Sequence, residues 1–344
     1  MKALVTGASG FLGGALARRL VRDGDYEVAI LARPTSNLRD LESVLDKIEV
    51  VTGDLADAES LERAVAGVDV VFHSAARVDE RGTREQFWAE NVAATSLLVS
   101  AAQAGGASRF VFISSPSALM DRDGGDQVDV DESVPYPTRY LNYYCETKAA
   151  AERLVLKANT EGFTTCALRP RATWGAGDRS GPIVRLLDRA AAGTLPDLSG
   201  GKDVYASLCH MENTVEACVK AAASDKVGGK PYFIADAETT NVWPFLSQVA
   251  IDLGYQPPRR KLDPRAVSAV VCVIESLRRV PYLATRWTPP LSRYSVAVMP
   301  RTGTYDTGAA TRDFGYRPVV DRDSGMAHLQ SWIKSGESNA AITR

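Results

Sequence analysis

The sequence opens with Met1-Lys2-Ala3-Leu4-Val5-Thr6-Gly7-Ala8-Ser9-Gly10-Phe11-Leu12-Gly13, in which three glycines follow a short apolar run. The run Lys2–Val5 predicts a buried strand, and Gly13–Asp23 predicts a helix. In such a turn the first glycine allows the tight bend, the second lets the backbone approach a pyrophosphate, and the third allows close helix–strand packing. The N–H groups at the start of the helix then favour phosphate. The segment therefore predicts a dinucleotide-binding turn.

The first half of the chain continues this alternation of strand and helix. Further strands are predicted at Glu27–Leu31, Ile48–Val51, Val68–His73, Arg109–Ser114 and Thr164–Leu168. Helices are predicted at Ala58–Val65, Phe87–Ala104 and Tyr144–Thr160. Alternating strands and helices imply right-handed βαβ crossovers, and almost continuously apolar strands indicate helices on both faces. We expect an α/β fold with a doubly wound parallel sheet of the Rossmann type.

Composition excludes several classes of protein. The 344 residues are 45% hydrophobic and 24% charged, which is ordinary for a globular protein. Lys and Arg number 40 against 42 Asp and Glu, so the basic excess of a nucleic-acid-coating protein is missing. The five cysteines form no C-x-x-C pair and no zinc pattern, which predicts reduced thiols and no metal site.

The hydropathy pattern predicts a cytoplasmic protein without a transmembrane segment. The apolar stretch Ala266–Ile274 is far shorter than the ~20 residues that span a bilayer. The first strand leaves no room for a signal peptide. Apolar residues at helical spacing in Val267–Leu277 fit a core helix, a pocket lid or a membrane-surface helix, and these alternatives stay open.

The end of the second predicted strand bears on cofactor choice. An NAD site usually places an acid there for the ribose 2′-hydroxyl, but Arg33 stands at this point, 20 residues after Gly13. An arginine suits a 2′-phosphate, and Ser36 offers a hydroxyl beside it. The site therefore favours NADP(H), with NAD(H) as the alternative if Arg33 is only a surface charge. Asp54 either accepts a hydrogen bond from adenine or caps the next helix.

A tyrosine and a lysine four residues apart indicate acid–base chemistry. Tyr144 and Lys148 share one face of a predicted helix, so the ammonium is expected to lower the pKa of the phenol from about 10. Ser115 follows a strand at the carboxyl edge of the sheet, where open parallel sheets bind ligands. His73 also ends a strand, and with no second ligand at a suitable spacing it is interpreted as a packed histidine near the cofactor.

Together these motifs resemble a known family. They stand in the order Thr6-Gly7-x-x-Gly10-Phe11-x-Gly13, Asp54-Leu55, His73-x-Ala75-Ala76, Asn91-Val92-x-x-Thr95, Ser114-Ser115, Tyr144-x-x-x-Lys148 and Arg169-Pro170. The set resembles the extended short-chain dehydrogenases/reductases over nearly the whole chain. The resemblance implies cofactor contacts from Gly7, Ser9, Gly10, Phe11, Leu12, Gly13, Arg33, Ser36, Asp54, Leu55, Ala75, Ala76, Lys148 and Pro170.

The same resemblance assigns catalytic roles. Tyr144 would donate or accept the proton, and Lys148 would lower its pKa and hold the nicotinamide ribose. Ser115 would orient the substrate oxygen, with Ser117 as a second candidate for that role. Asn91 would be structural, near the active site.

A segment that begins at the end of the predicted strand Thr164–Leu168 points to a hydrophobic, lipid-like substrate. Residues 167–178 look like 3β-hydroxysteroid dehydrogenase-like reductases and the 2-alkyl-3-oxoalkanoate reductases of bacterial olefin and β-lactone biosynthesis. The preferred substrate is a 2-alkyl-3-oxoalkanoate, reduced to the 3-hydroxy acid. Arg171 or Arg293 would receive its carboxylate, and Trp174 is a further candidate contact.

Three alternatives stay open. One is a 3β-hydroxysteroid substrate, and another is a nucleotide-sugar epimerase, which Arg33 disfavours. The third is a non-enzymatic NADP sensor, a class that typically lacks the Tyr/Lys pair that Tyr144 and Lys148 form here. The family also suggests a homodimer through helices beside the active site.

The resemblance further implies a discontinuous domain organisation. Residues 1–170 would form the cofactor-binding domain, and 204–238 would return to it. Residues 171–203 and 239–335 would form the substrate-binding region, followed by a flexible tail at 336–344.

Overall fold

A computed structural model describes residues 1–78, 82–179, 181–258, 261–264, 266–267, 269–271 and 293–336. Its strands are β1 Lys2–Thr6, β2 Glu27–Ala32, β3 Ile48–Thr52, β4 Val70–His73, β5 Arg109–Ile113, β6 Gln127–Val130, β7 Thr164–Pro170, β8 Thr173–Trp174, β9 Tyr205–Ala206, β10 Cys209–His210, β11 Lys230–Ile234, β12 Thr240–Asn241 and β13 Gly303–Tyr305. Its helices are α1 Phe11–Asp23, α2 Ala58–Val65, α3 Arg84–Trp88, α4 Ala94–Ala104, α5 Tyr143–Lys157, α6 Pro182–Ala191, α7 Met211–Ala222, α8 Val242–Asp252, α9 Arg293–Val298, α10 Gly308–Phe314 and α11 Arg322–Lys334.

Seven parallel strands form the central sheet in the order β11-β7-β5-β4-β1-β2-β3. This confirms the predicted doubly wound parallel sheet. The strand order reverses between β1 and β4, so a crevice opens at their carboxyl ends, where such folds bind ligands. β11, which comes late in the chain, pairs with β7 at the edge of the sheet.

Helices cover both faces of the sheet because alternate strand residues point to opposite sides. Val5 and Phe72 pack into the layer that contains α1 and α7. Leu4 and Val71 pack into the opposite layer with α2, α4 and α5. The result is two apolar cores, one on each face of the sheet.

One predicted helix is interrupted. The pattern predicts a continuous helix over Phe87–Ala104, but a π-helical turn at Ala89–Ala93 separates α3 from α4. The apolar periodicity continues through this turn, so the sequence does not reveal it. Such turns are often found at functional sites.

Two smaller sheets lie outside the central sheet, β12-β9-β13-β6 and β10-β8. Within Val267–Leu277, Val267 and Val271 pack against a core cluster that includes Trp243 and Val296, and residues 272–277 lie outside the described part of the chain. Nowhere in the described ranges is a helix long and apolar enough to cross a membrane.

Candidate functional site

The glycine turn between β1 and α1 has little room for side chains. Gly7 has a φ of +71°, and a Cβ there would lie 2.7 Å from the backbone nitrogen of Ala75. A Cβ on Gly13 would lie 2.3 Å from the Gly7 carbonyl oxygen, so the helix packs directly against the turn. Gly10 is the N-cap of α1 and offers no side chain to its first N–H groups. This cradle at the strand-order reversal fits the pyrophosphate of a dinucleotide.

His73, the last residue of β4, lies under this crevice. One ring nitrogen lies 2.7 Å from the Thr6 hydroxyl, and the other lies 2.9 Å from the Thr95 hydroxyl. Burial, with the nearby Lys148 charge, lowers the pKa of His73 to about 3, so the ring is neutral. In the described ranges, no group of three or more His, Cys, Asp or Glu side chains is arranged to hold a metal ion.

Asn91 lies in the π-helical turn and joins two parts of the site. Its Oδ1 accepts a hydrogen bond from the Arg77 N–H at 2.7 Å, and its Nδ2 donates to the Arg77 carbonyl at 3.1 Å. The same Nδ2 lies 3.1 Å from the Thr147 hydroxyl on α5. Asn91 thereby fixes the loop after β4 relative to the helix that carries Tyr144 and Lys148. This is a structural position near the crevice.

Ser115 and Tyr144 meet at the carboxyl end of β5. Asn142 caps α5 by accepting the Cys145 N–H, which sets Tyr144 in the first turn of the helix. Burial raises the pKa of Tyr144 to about 12, whereas a hydrogen bond from Ser115 acts to lower it. Burial therefore favours the neutral phenol, and the nearby Ser115 acts in the opposite direction.

Lys148 is buried, and its side chain reaches the carboxyl end of β5. Its Nζ donates to the Ile113 carbonyl at 2.6 Å and lies 4.4 Å from the centre of the Phe112 ring. Burial lowers the pKa of Lys148 to about 8, opposed by the Glu152 carboxylate. The lowering of the Tyr144 pKa by this ammonium stays a prediction.

A second hydroxyl pair lies beside Ser115. Ser117 is buried, and its Oγ lies 2.8 Å from the Tyr294 hydroxyl on α9. The Ser115 hydroxyl donates to Ser117 Oγ at 3.1 Å, so the two candidate serines are neighbours in one network. Ser114, directly before them, has a buried Oγ with no hydrogen-bond partner in the structure as described.

The predicted cofactor-selecting residues lie on loops at the same edge of the sheet. Arg33 is exposed directly after β2, and its N–H donates to Ser36 Oγ at 3.1 Å. Asp54 is exposed and accepts the Ala56 N–H at 2.9 Å. The alternative that Asp54 caps the next helix is wrong, because the cap of α2 is Asp57.

The remaining predicted cofactor contacts are distributed around the crevice. Ser9 is exposed in the glycine turn, and Phe11 and Leu12 begin α1 with partly buried side chains. Ala75 and Ala76 continue from β4, Leu55 packs under α2, and Pro170 ends β7.

The structure describes the side chains of three of the four predicted substrate contacts, of which Ser117 is placed above. Arg171, just beyond β7, donates to the Gly303 carbonyl and has no carboxylate partner among the described residues. Trp174 is fully buried in a core cluster, and its indole N–H donates to Asp236 at 2.9 Å. Arg293 begins α9, but its side chain lies outside the described part.

Two features of the site were not anticipated from the sequence. One is Tyr294, whose partner Ser117 is 177 positions away. The other is the fully buried ion pair of Arg169 on β7 with Glu152 on α5, closed by a hydrogen bond from Tyr136. The sequence shows only that an arginine stands in a predicted buried strand and a glutamate on a predicted helix. Neither observation reveals that the two side chains form an ion pair.

Comparison with known proteins gives consistent matches. The profile of the 3-beta hydroxysteroid dehydrogenase/isomerase family matches residues 4–264. A 2-alkyl-3-oxoalkanoate reductase from Shewanella oneidensis is 33% identical over 96% of this chain and 85% of its own. A 3-beta-hydroxysteroid dehydrogenase from Mycolicibacterium neoaurum is 32% identical over 95% of this chain and 89% of its own.

A solved structure gives the same fold. A dTDP-glucose 4,6-dehydratase from Streptomyces venezuelae, crystallised as a double mutant with NAD bound, superimposes with a TM-score of 0.75. The alignment covers 98% of each chain at 23% identity, which supports the fold alone.

Proposed function

The chain belongs to the 3-beta hydroxysteroid dehydrogenase/isomerase family, and from that premise we propose that it reduces 2-alkyl-3-oxoalkanoates to 2-alkyl-3-hydroxyalkanoates with NADPH. The family makes it an NAD(P)-dependent oxidoreductase of the extended short-chain type that acts on hydroxyl or keto groups. The substrate and the preference for NADP(H) are the proposed part.

One observation carries the choice of an acidic substrate. Arg171 is a cation that no described carboxylate neutralises, and its charge reaches the buried Tyr294 hydroxyl beside Ser117. A partly buried guanidinium with N–H groups unused among the described residues suits a substrate carboxylate, which it binds through charge-assisted hydrogen bonds. A steroid presents no such anion.

Each of these residues has a separate role in the proposed reaction. Tyr144 donates its proton to the oxygen of the ketone, and Ser115 holds that oxygen by a hydrogen bond. Lys148 adds buried positive charge at the end of β5, and Asn91 holds α5 against the loop after β4. The glycine turn and Arg33 bind the cofactor, whose nicotinamide, when bound, exchanges hydride with the substrate carbon.

The test is an oxidation assay with purified protein and a synthetic long-chain 2-alkyl-3-hydroxy acid. NADP⁺ and NAD⁺ are supplied in parallel, and formation of reduced cofactor is followed. Turnover with NADP⁺ that is lost in Tyr144→Phe supports the proposal. Turnover with NAD⁺ alone contradicts the role given to Arg33. No turnover with either cofactor, with cofactor binding demonstrated, overturns the substrate.

Arg171→Met tests the carboxylate site separately. We expect a raised KM for the hydroxy acid and little change for its methyl ester, because only the acid presents the anion. Arg185→Met, an exposed arginine on α6, is the matched control. If KM rises equally for the acid and the ester, Arg171 does not bind the carboxylate and only stabilises the local packing.

A 3β-hydroxysteroid is the second candidate substrate, favoured by the family match and by the mycobacterial relative. A panel of 3β-hydroxysteroids under the same assay distinguishes it. An epimerase, the alternative suggested by shared fold, would purify with NAD bound and consume no cofactor. The cytoplasmic location, homodimer, membrane-surface contact and domain boundaries stay predictions.

A further inference from the structure

A short segment after β8, residues 175–179, is called the crossing segment here. It begins directly after Trp174, which is fully buried. Near its other end, the Asp178 carboxylate is buried and accepts the backbone N–H of Gly181, the N-cap of α6, at 2.7 Å. Buried side chains therefore anchor the crossing segment at both ends.

The middle of the crossing segment lies against the start of α1. A Cβ on Gly177 would lie 3.8 Å from Cε2 of Phe11, which is an ordinary van der Waals distance. Phe11 is the first residue of α1 and directly follows the N-cap Gly10. The N–H groups at the start of this helix are the part of the cradle that suits a pyrophosphate. The crossing segment thus borders the candidate cofactor cradle.

The last residue of the crossing segment reaches the chain beyond β2. Arg179 Nη1 lies 2.5 Å from Asp40 Oδ2, and the two side chains are 34% and 42% exposed. Asp40 belongs to the 3₁₀-helical segment Arg39–Lys47, which follows β2 and the loop that carries Arg33. The Asp40 carbonyl accepts a hydrogen bond of 2.8 Å from Arg18 Nη1, so α1 holds this end of the ion pair in place.

These contacts place the crossing segment beside the path of a bound dinucleotide. The chain leaves the central sheet at β7, which lies four strands away from β2, and it returns to the β2 side through Arg179 and Asp40. A dinucleotide in this fold has its pyrophosphate at the start of α1 and its adenosine ribose near the end of β2. The crossing segment and the cofactor therefore extend in the same direction past the start of α1.

We propose that the Arg179–Asp40 ion pair is a latch that holds the crossing segment over the glycine turn and slows exchange of the dinucleotide. An exposed ion pair is weak, so the latch delays exchange without preventing it. Because the latch opens for both entry and exit, it lowers the association and dissociation rate constants together and leaves the Kd unchanged. The inference goes beyond the proposed function and does not depend on the substrate.

Stopped-flow fluorescence of NADPH binding and displacement, with NADH in parallel, tests the latch. Asp40→Asn and Arg179→Met should each raise both rate constants about threefold, as expected for loss of an exposed ion pair, and leave the Kd unchanged. The two substitutions change the local charge in opposite directions, so a purely electrostatic effect on the anionic cofactor would change their association rates oppositely. Opposite changes, or a raised Kd with an unchanged association rate, would overturn the proposal.

A double variant and a control complete the kinetic test. Asp40→Asn with Arg179→Met should exchange cofactor no faster than either single variant, because all three lack the same latch. Glu49→Gln is the matched control, since it removes an exposed ion pair with Lys2 at the amino end of the sheet, opposite the crevice. Additive increases in the double variant, or equal acceleration in Glu49→Gln, would contradict the latch.

Hydrogen–deuterium exchange of the cofactor-free protein gives a second readout. Peptides that contain the crossing segment should exchange faster in Asp40→Asn than in wild type or Glu49→Gln, because local opening becomes more frequent when the latch is lost. Equal protection in all three proteins would refute the latch. Faster exchange in a protein that oxidises no 2-alkyl-3-hydroxy acid supports the latch and rejects only the proposed substrate.

Discussion

Replacing Glu152 by Gln perturbs the buried ion pair between α5 and β7. The carboxylate and the Arg169 guanidinium are 0% and 1% exposed, with a 2.6 Å contact from Arg169 Nη2 and a second bond of 3.0 Å from Nε. Tyr136 donates a further 2.5 Å hydrogen bond to Glu152. The substitution keeps the shape of the side chain but leaves the arginine charge without a counter-ion.

Removing one partner of such a pair costs about 3–5 kcal/mol, because the remaining charge is buried and unpaired. We expect Glu152→Gln to lower the free energy of unfolding by that amount, measured by urea denaturation followed by circular dichroism. The double variant Glu152→Leu with Arg169→Met removes both charges and leaves one tyrosine hydroxyl unpaired, which costs about 1–3 kcal/mol. It should therefore be more stable than the single variant.

Two results would refute this reasoning. A loss below about 1 kcal/mol in Glu152→Gln would mean that Arg169 is solvated or paired elsewhere when the carboxylate is removed. A double variant as unstable as Glu152→Gln would mean that the cost lies in packing and not in charge. Arg63→Met, on the partly exposed side of α2, is a control that should change stability by no more than about 0.5 kcal/mol.

Two further predictions concern the cofactor and the buried lysine. Arg33→Ala should raise the KM for NADP⁺ at least about tenfold and leave the KM for NAD⁺ unchanged, since a charged hydrogen bond is worth about 1.5–3 kcal/mol; equal effects on both cofactors in steady-state kinetics would contradict it. Lys148 keeps its proton to pH 10.5 when unfolded and only to about 8 when folded, so the unfolded state binds more protons between these values and stability rises with pH there. Urea denaturation at pH 7.5 and 10.5 should show wild type gaining about 3 kcal/mol relative to Lys148→Met, and parallel pH dependences of the two proteins would refute the shift.

The fold and the central part of the site were predictable because their signals are local. The glycine turn, the strand ends and the Tyr144–Lys148 spacing each depend on neighbours within one element or one turn. The direction of the Lys148 side chain was not predictable, since it depends on the Ile113 carbonyl at the end of another strand. The position of Trp174 was not predictable for the same reason. Only tertiary packing decides whether an indole is buried in a core, as here, or lines a pocket.

The sequence also did not predict contacts between side chains that are far apart in the chain. Tyr294 and Ser117 are 177 positions apart in the chain, and a single sequence does not show that they pair. The π-helical turn that carries Asn91 was missed for a related reason. Its backbone departs from the α-helical hydrogen-bond pattern while its apolar residues keep the helical period.

The late position of β11 in the chain has a consequence during translation. Strand β7 ends at Pro170, but its partner strand β11 ends only at Ile234. The Ala235 carbonyl, directly after β11, accepts a hydrogen bond from the still later Tyr316 hydroxyl. At about 5–20 residues per second, a ribosome leaves this strand edge uncovered for several seconds or more. An uncovered parallel edge is a template for wrong pairing between nascent chains. We therefore expect chaperones and the rate of codon translation to influence correct folding most while residues 171–316 are being synthesised.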